Sequence, residues 1–250
     1  MPAAPTGNLI GKANLTMPCK HLDILKQDLT VPEQLHLGLL LITNDQSIQL
    51  GQLPSGVQTQ PTTLNKYLME ILGKLLIAPP AIKNNFWHKT VIMVTEHHAQ
   101  GSLGLVLNKP SNLSIVDFGR KLNMMLNIPG QVYVGGPVNS QSLTVIHSND
   151  WSSTNTMRLN DTFSVSSAED ILPRFSTGDC PRQWRMFLGM CGWATNQLMS
   201  EMNGVAPWTK EHSWCTATSN LDLAFDSDGA EQWCSALDHS AQEFAENILT

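Results

Sequence analysis

Charge is scarce in this chain. Asp, Glu, Lys and Arg make up 14% of its 250 residues while 42% are hydrophobic, a balance that excludes a disordered protein, which needs high charge and few apolar side chains. Long apolar runs are scarce too. The longest, Leu37 to Ile42, falls far short of the roughly 20 residues that cross a bilayer, so no membrane association is expected. The first residues lack a basic start followed by a hydrophobic stretch, which argues against a secretion signal and gives the cytoplasm as the expected location. Cysteine is sparse and odd in number: Cys19, Cys180, Cys191, Cys215 and Cys234 contain no C-x-x-C pair, so neither a disulfide framework nor a zinc knuckle is expected.

Complete nucleotide motifs are missing as well. "GSLGLVLNKP" (101–110) has the look of a phosphate loop, but Gly101 and Gly104 fit neither G-x-x-x-x-G-K-[ST] nor G-x-G-x-x-G. Ser111 stands where a guanine-reading N-K-x-D needs its carboxylate. The stretch is therefore expected to be a hairpin strand, with Gly101 relieving the turn and Gly104 admitting another backbone or a large side chain. The charges that are present lie unevenly. Residues 201–250 hold nine Asp and Glu against Lys210, and the remainder of the chain is close to neutral with no basic cluster. An acidic end repels a phosphate backbone, so direct nucleic-acid binding has weak support.

Residues 1–70 have the composition of an N-terminal extension and linker: prolines and glycines open it, "QLHLGLLLIT" (34–43) has the pattern of one or two strands, and "GQLPSGVQTQPTT" (51–63) is turn-rich. A single globular domain is expected over 71–250. Within it, "KLLIA" (74–78), "KTVIMVTE" (89–96), "SLGLVLN" (102–108), "QVYVGG" (131–136), "LTVIHS" (143–148), "TFSVS" (162–166) and "QWRMFLG" (183–189) are strand-like. "HHAQG" (97–101) is the expected turn of the first long hairpin. Ser114 with Asp117 caps a helix whose Ile115, Phe118, Leu122, Met125 and Leu126 share one face. Ser167 with Asp170 starts a second helix that Pro173 is expected to kink or restart. Ala194 to Met202 forms a third. Asp228 with Glu231 caps a last helix with Trp233, Leu237, Phe244 and Ile248 on one face. Strands and helices mixed without βαβ regularity predict an α+β fold with a mostly antiparallel sheet.

Three features invite chemistry. Glu96, His88, His97 and His98 are the densest set of metal-ligand types, but adjacent strand residues face opposite ways, and no metal site is assigned. Cys191 lies between two glycines just ahead of the third helix, whose N-terminus would lower a thiol pKa; with His147 it could make a Cys/His nucleophile, although no sequence feature joins the two. The Gly135-Gly136 pair could form an anion-binding nest, or simply permit a tight turn.

Taken in order, "KLLIAPPAI", "FWHKTVIMVTEH", "GSLGLVLNKP", "VYVGGPV" with "VIHS", "LGMCGWATNQLMSE" and "WCTATSNLDLAFDSDGAEQWCSAL" resemble the motifs of the bacterial AlgH/YqgE family, over most of residues 74–248. Members are small proteins of unassigned biochemistry linked to transcriptional regulation. The resemblance implies a bifurcated, partly closed antiparallel sheet forming a partial barrel flanked by helices, no established catalytic residue and no cofactor. It implies a non-enzymatic regulatory or adaptor role through an unknown protein partner; a thiol enzyme or redox sensor using Cys191, or a small-molecule or anion-binding protein, are the alternatives. Among the family's recurrent positions, the polar and aromatic ones matched here are Asn108, His147, Trp193, Gln197 and Glu201, which the resemblance marks as a candidate surface or ligand site. Departures are Thr95 for a cysteine, Met190 and Cys191 for Tyr-Ala, Asn196 for a glycine, Met199 for a glutamate, Pro173 within a helix, and an insertion between Glu201 and Trp214.

Overall fold

The computed structural model describes residues 71–249. The strand expectation at 34–43 and the linker at 51–63 lie outside the described residues. In chain order the elements are β1 (Leu75–Ile77), β2 (Val91–His98), β3 (Gly101–Val106), β4 (Pro110–Ser114), α1 (Ile115–Lys121), β5 (Gln131–Val134) and β6 (Val138–Ser148). They continue with β7 (Met157–Arg158), β8 (Phe163–Ser167), α2 (Ala168–Ser176), β9 (Trp184–Ala194), α3 (Gln197–Asn203), β10 (Cys215–Ala217), α4 (Leu221–Phe225) and α5 (Gly229–Leu249).

The stretch that opens at Gly101 is strand through Val106, as its spacing predicts. β2 and β3 pair antiparallel from Ile92 opposite Val106 to His98 opposite Gly101. The turn is shorter than expected, because β2 continues through both histidines and leaves only Ala99 and Gln100 between the strands. The register shifts between Val94 and Glu96, so Thr95 is the extra residue of a bulge that coils the hairpin. A Cβ on Gly104 would meet Met93 O at 2.9 Å and Ile92 Cγ2 at 2.8 Å, with the Trp193 ring 3.2 Å away. Gly104 therefore admits a backbone and an indole together.

The sheet runs β10-β1-β2-β3-β9-β6-β8-β7, with β4 and β5 branching off. β9 is the trunk of the fork: β6 lines one of its edges from Trp184 to Met190, while β3 takes Cys191 to Ala194 on the other. Below that point β5 enters between β3 and β9, parallel to β9, with Tyr133 opposite Phe187 and Val134 opposite Leu188. The result is a mostly antiparallel sheet curled into a half-barrel, flanked by five helices among the described residues: an α+β fold.

Two helix expectations need correction. α1 is capped as predicted, Ser114 Oγ accepting from the Asp117 N–H at 3.0 Å, but it ends at Lys121 and Asn123 turns the chain into the left-handed region. Leu126 still reaches the core, while Met125 points into solvent, off the face it was expected to share. In α2, Ser167 is the N-cap residue but its hydroxyl accepts from Asn155 Nδ2, and Asp170 accepts from the Asn155 N–H. Pro173 is carried inside α2, which runs unbroken from Ala168 to Ser176, so of the kink or restart expected there the restart does not occur.

One core cluster fills the half-barrel around Leu75, Met93, Leu105, Phe163, Phe187 and Trp233; each such side chain contributes about 1.5–3 kcal/mol on burial. α5 closes this core. Trp233 is buried and donates from Nε1 to Ala78 O at 2.7 Å, Ser240 donates to Thr216 O at 2.8 Å, and Glu243 accepts from the Thr218 N–H at 3.0 Å. Past Glu243 the helix continues with Phe244, Ile248 and Leu249 exposed.

Candidate functional site

Three of the five nominated residues meet, and a fourth that the sequence did not nominate joins them. β9 carries Trp193, and α3 carries Gln197 and Glu201 one turn apart. The α3 start lies three residues later than expected, because Asn196 takes a left-handed conformation at φ 59°; asparagine is among the few residues besides glycine that tolerate it. Gln197 Oε1 then accepts from the Ala194 N–H at 2.9 Å, capping the turn. The Glu201 carboxylate accepts from Trp193 Nε1 at 3.0 Å, Trp214 Nε1 at 2.8 Å and Gln197 Nε2 at 2.9 Å. Indole N–H groups are donors only and need an acceptor when buried. The carboxylate therefore locks α3 to β9 and to the segment entering β10. Trp214 was legible only as an aromatic in a family-like motif, since nothing in its spacing points to Glu201.

Asn108 and His147 lie apart from this cluster and from each other. Asn108 is buried; its Oδ1 accepts from the Val91 N–H at 2.9 Å, and its Nδ2 donates to Lys89 O at 2.8 Å and Gly229 O at 2.7 Å. It fastens the end of β3 to the start of β2 and to the start of α5. His147 is completely buried on β6, edge-on to Trp151 at 5.2 Å. Its Nδ1 donates to Ser148 O at 2.9 Å, which leaves Nε2 to accept from Ser166 Oγ at 3.0 Å. That is a neutral imidazole, and burial pushes its pKa down.

Cys191 sits inside β9, opposite Gly104, and not at the strand-to-helix turn expected from its flanking glycines. The first residue of α3, Gln197, is six residues further on. The thiol is fully buried, donates to Gly135 O at 3.4 Å, and burial drives its pKa up rather than down. Trp184, the residue opposite His147, stands seven positions before Cys191 on the same strand, roughly 23 Å at ~3.3 Å per residue. The two cannot form a dyad.

The Gly-Gly pair serves close approach. A Cβ on Gly135 would sit 2.3 Å from Gly189 O, and the Gly135 N–H is committed to Leu188 O at 2.8 Å. At the hairpin tip, His97 Nδ1 meets Ser102 Oγ at 2.7 Å, while His98 faces Glu96 at 3.5 Å. The two histidines point opposite ways, as strand alternation requires.

Sequence reasoning missed Arg185. This buried guanidinium is held by four neutral oxygens: Nη1 donates to Leu107 O at 2.9 Å and Gln232 Oε1 at 2.8 Å, and Nη2 to Phe225 O at 2.9 Å and Ser227 O at 2.8 Å. Tyr133 covers it, ring centroid 4.6 Å away. An arginine at a strand position reads as solvent-facing; no local pattern announces four acceptors gathered from other elements.

A forked, mostly antiparallel sheet curled around one face of a C-terminal helix defines the class. The chain belongs to the AlgH-like family, whose profile matches residues 75–245. A UPF0301 protein of Mannheimia succiniciproducens is 31% identical over 174 residues, 67% of this chain and 90% of that protein. One from Shewanella loihica is 29% identical over 164 residues, 64% of this chain and 85% of that protein. The solution structure of the AlgH protein from Pseudomonas aeruginosa is similar at a TM-score of 0.55 and 26% identity, covering 74% of this chain and 92% of that one.

Proposed function

We propose that this chain is a cytoplasmic regulatory or adaptor module that acts through protein contacts, without chemistry of its own, and influences transcription indirectly. The observation that carries the reading is α5. Its apolar stripe is one continuous helical face, yet Trp233 and Leu237 pack on the sheet while Phe244 and Ile248 are 68% and 66% exposed and Leu249 is 86% exposed. An apolar face projecting beyond its own core is what a partner covers. The inward commitment of Asn108, His147, Gln197 and Glu201 to structural hydrogen bonds supports the same reading, because side chains so engaged are not available to a substrate.

A thiol enzyme or sensor is disfavoured by the complete burial of Cys191, which drives its thiol pKa up against the opposing pull of the Lys109 ammonium. Direct nucleic-acid contact is disfavoured by the acidic C-terminal fifth of the chain. The test is coprecipitation from cell extract with wild type and a Phe244→Asp/Ile248→Asp variant of unchanged thermal stability. A specific partner held by wild type and lost by the variant is expected. Recovery of nothing above control, or equal recovery by both, overturns the reading.

A further inference from the structure

The exposed end of α5 lies where the N-terminal segment enters the fold. α5 runs back along β1 and β10: Trp233 donates to Ala78 O just past β1, Ser240 donates to Thr216 O, and the Glu243 carboxylate accepts from the Thr218 N–H. Thr218 precedes Ser219, whose hydroxyl accepts from Asn160 Nδ2 at 3.3 Å, and that same amide fills the place a Cβ on Gly73 would take. The Lys74 N–H in turn donates to Ile71 O at 3.1 Å. Residue 71, the first described, and the exposed stripe of Phe244, Ile248 and Leu249 therefore share one end of the sheet.

Area, charge and reach decide what covers the stripe. Its three side chains offer roughly 400 Å2, about half of the ~800 Å2 that each side of a standard interface buries, so a second copy pairing through the stripe alone has too little to hold it. α5 also carries Glu231, Asp238, Glu243 and Glu246 and no Lys or Arg, and two such helices repel each other. The N-terminal segment meets neither obstacle. Residues 34–44 contain no Asp, Glu, Lys or Arg, and five of the six residues from Leu37 to Ile42 are aliphatic, a run that gains by leaving water. Even as a random coil, the 27 residues from 44 to 70 reach roughly 30 Å, and a tether of that range supplies an effective concentration on the order of millimolar. A contact too small to hold a free copy of the chain is enough to hold a tethered segment.

We propose that Leu37 to Ile42 dock on the Phe244, Ile248 and Leu249 end of α5 within the same molecule, so that an external partner reaches this surface only by displacing the chain's own segment. The regulatory half rests on the reading of α5 as a contact surface; the docking does not. The experiment is hydrogen exchange read by mass spectrometry on the full chain, comparing wild type with Leu39→Asp/Leu41→Asp, whose substitutions lie outside the 71–249 domain. Wild type is expected to exchange the amides of 244–249 about tenfold more slowly than the variant, the protection that a millimolar effective concentration gives to a contact of roughly 0.1 mM affinity, with the 91–106 hairpin unchanged. Reciprocally, Phe244→Asp/Ile248→Asp should speed exchange at 37–42 by the same factor, and Leu39→Asp/Leu41→Asp should recover more partner in coprecipitation. Equal exchange at 244–249 in wild type and variant, or protection that grows with protein concentration as a second copy requires, overturns the proposal. Slowed exchange with no partner recovered by any variant supports the docking while overturning the contact-surface reading; a partner recovered with equal exchange does the opposite.

Discussion

Asn108 satisfies three backbone groups from two distant segments, Lys89 and Val91 at the start of β2 and Gly229 at the start of α5, so its removal strands all three. Buried polar groups left without a partner cost about 1–3 kcal/mol each, and Asn108→Ala is expected to lower unfolding free energy by about 3 kcal/mol or more in urea titration. An unchanged midpoint would show the amide to be replaceable by water. His147 gives a prediction in pH. Its pKa is pushed below the ordinary ~6.5, so below that pH the unfolded chain binds a proton that the folded one refuses. The stability associated with the neutral imidazole is whole above ~6.5, declines as pH falls, and levels off once pH is under the folded pKa. His97 is shifted the same way by burial and by His98, so His147→Gln should flatten the acid slope without abolishing it. Cys191 should react with a thiol reagent only as fast as the protein opens. Fast labelling of the native protein would contradict its burial.

At the scale of elements, the parts legible in sequence were those whose signals are local. Ser114 and Asp117 cap α1 through their own side chains, and the glycine spacing of the stretch that opens at Gly101 identified strand because a phosphate loop needs a different one. Longer-range effects were not legible. β9 was expected to stop near Gly189, because Gly-x-Cys-Gly reads as a turn; β3 and β5 on its other edge sustain it to Ala194. β10 and α4 were missed because three and five residues carry too little periodicity. Of the candidate site, Trp193, Gln197 and Glu201 were found through family motifs, while Trp214 and Arg185 depend on contacts that only the folded chain creates. The fork itself is testable: Gly135→Ala would force a methyl against Gly189 O and should cost about 1–3 kcal/mol or more, as overpacking does. A thermal midpoint equal to wild type would mean the strands can part freely.

For the whole molecule, acidity and apolarity coincide at one end. The net charge of −6 is concentrated in the last fifth of the chain, the part that also carries the exposed end of α5. Replacing Phe244 and Ile248 by Asp is expected to change unfolding free energy by no more than about 0.5 kcal/mol, as for surface positions in general. A larger loss in calorimetry would mean that this end of the helix belongs to the core.

β9 has a consequence in time. Three strands rest on it, yet it is among the last to leave the ribosome: Gly101 must await Ala194, and Val138 must await Met190. Distant pairings of this kind slow folding and keep apolar edges uncovered during synthesis. A nascent chain halted before Trp184 can hold the β2–β3 hairpin but has nothing on which to close, so protection from protease should arrive abruptly once the trunk has emerged.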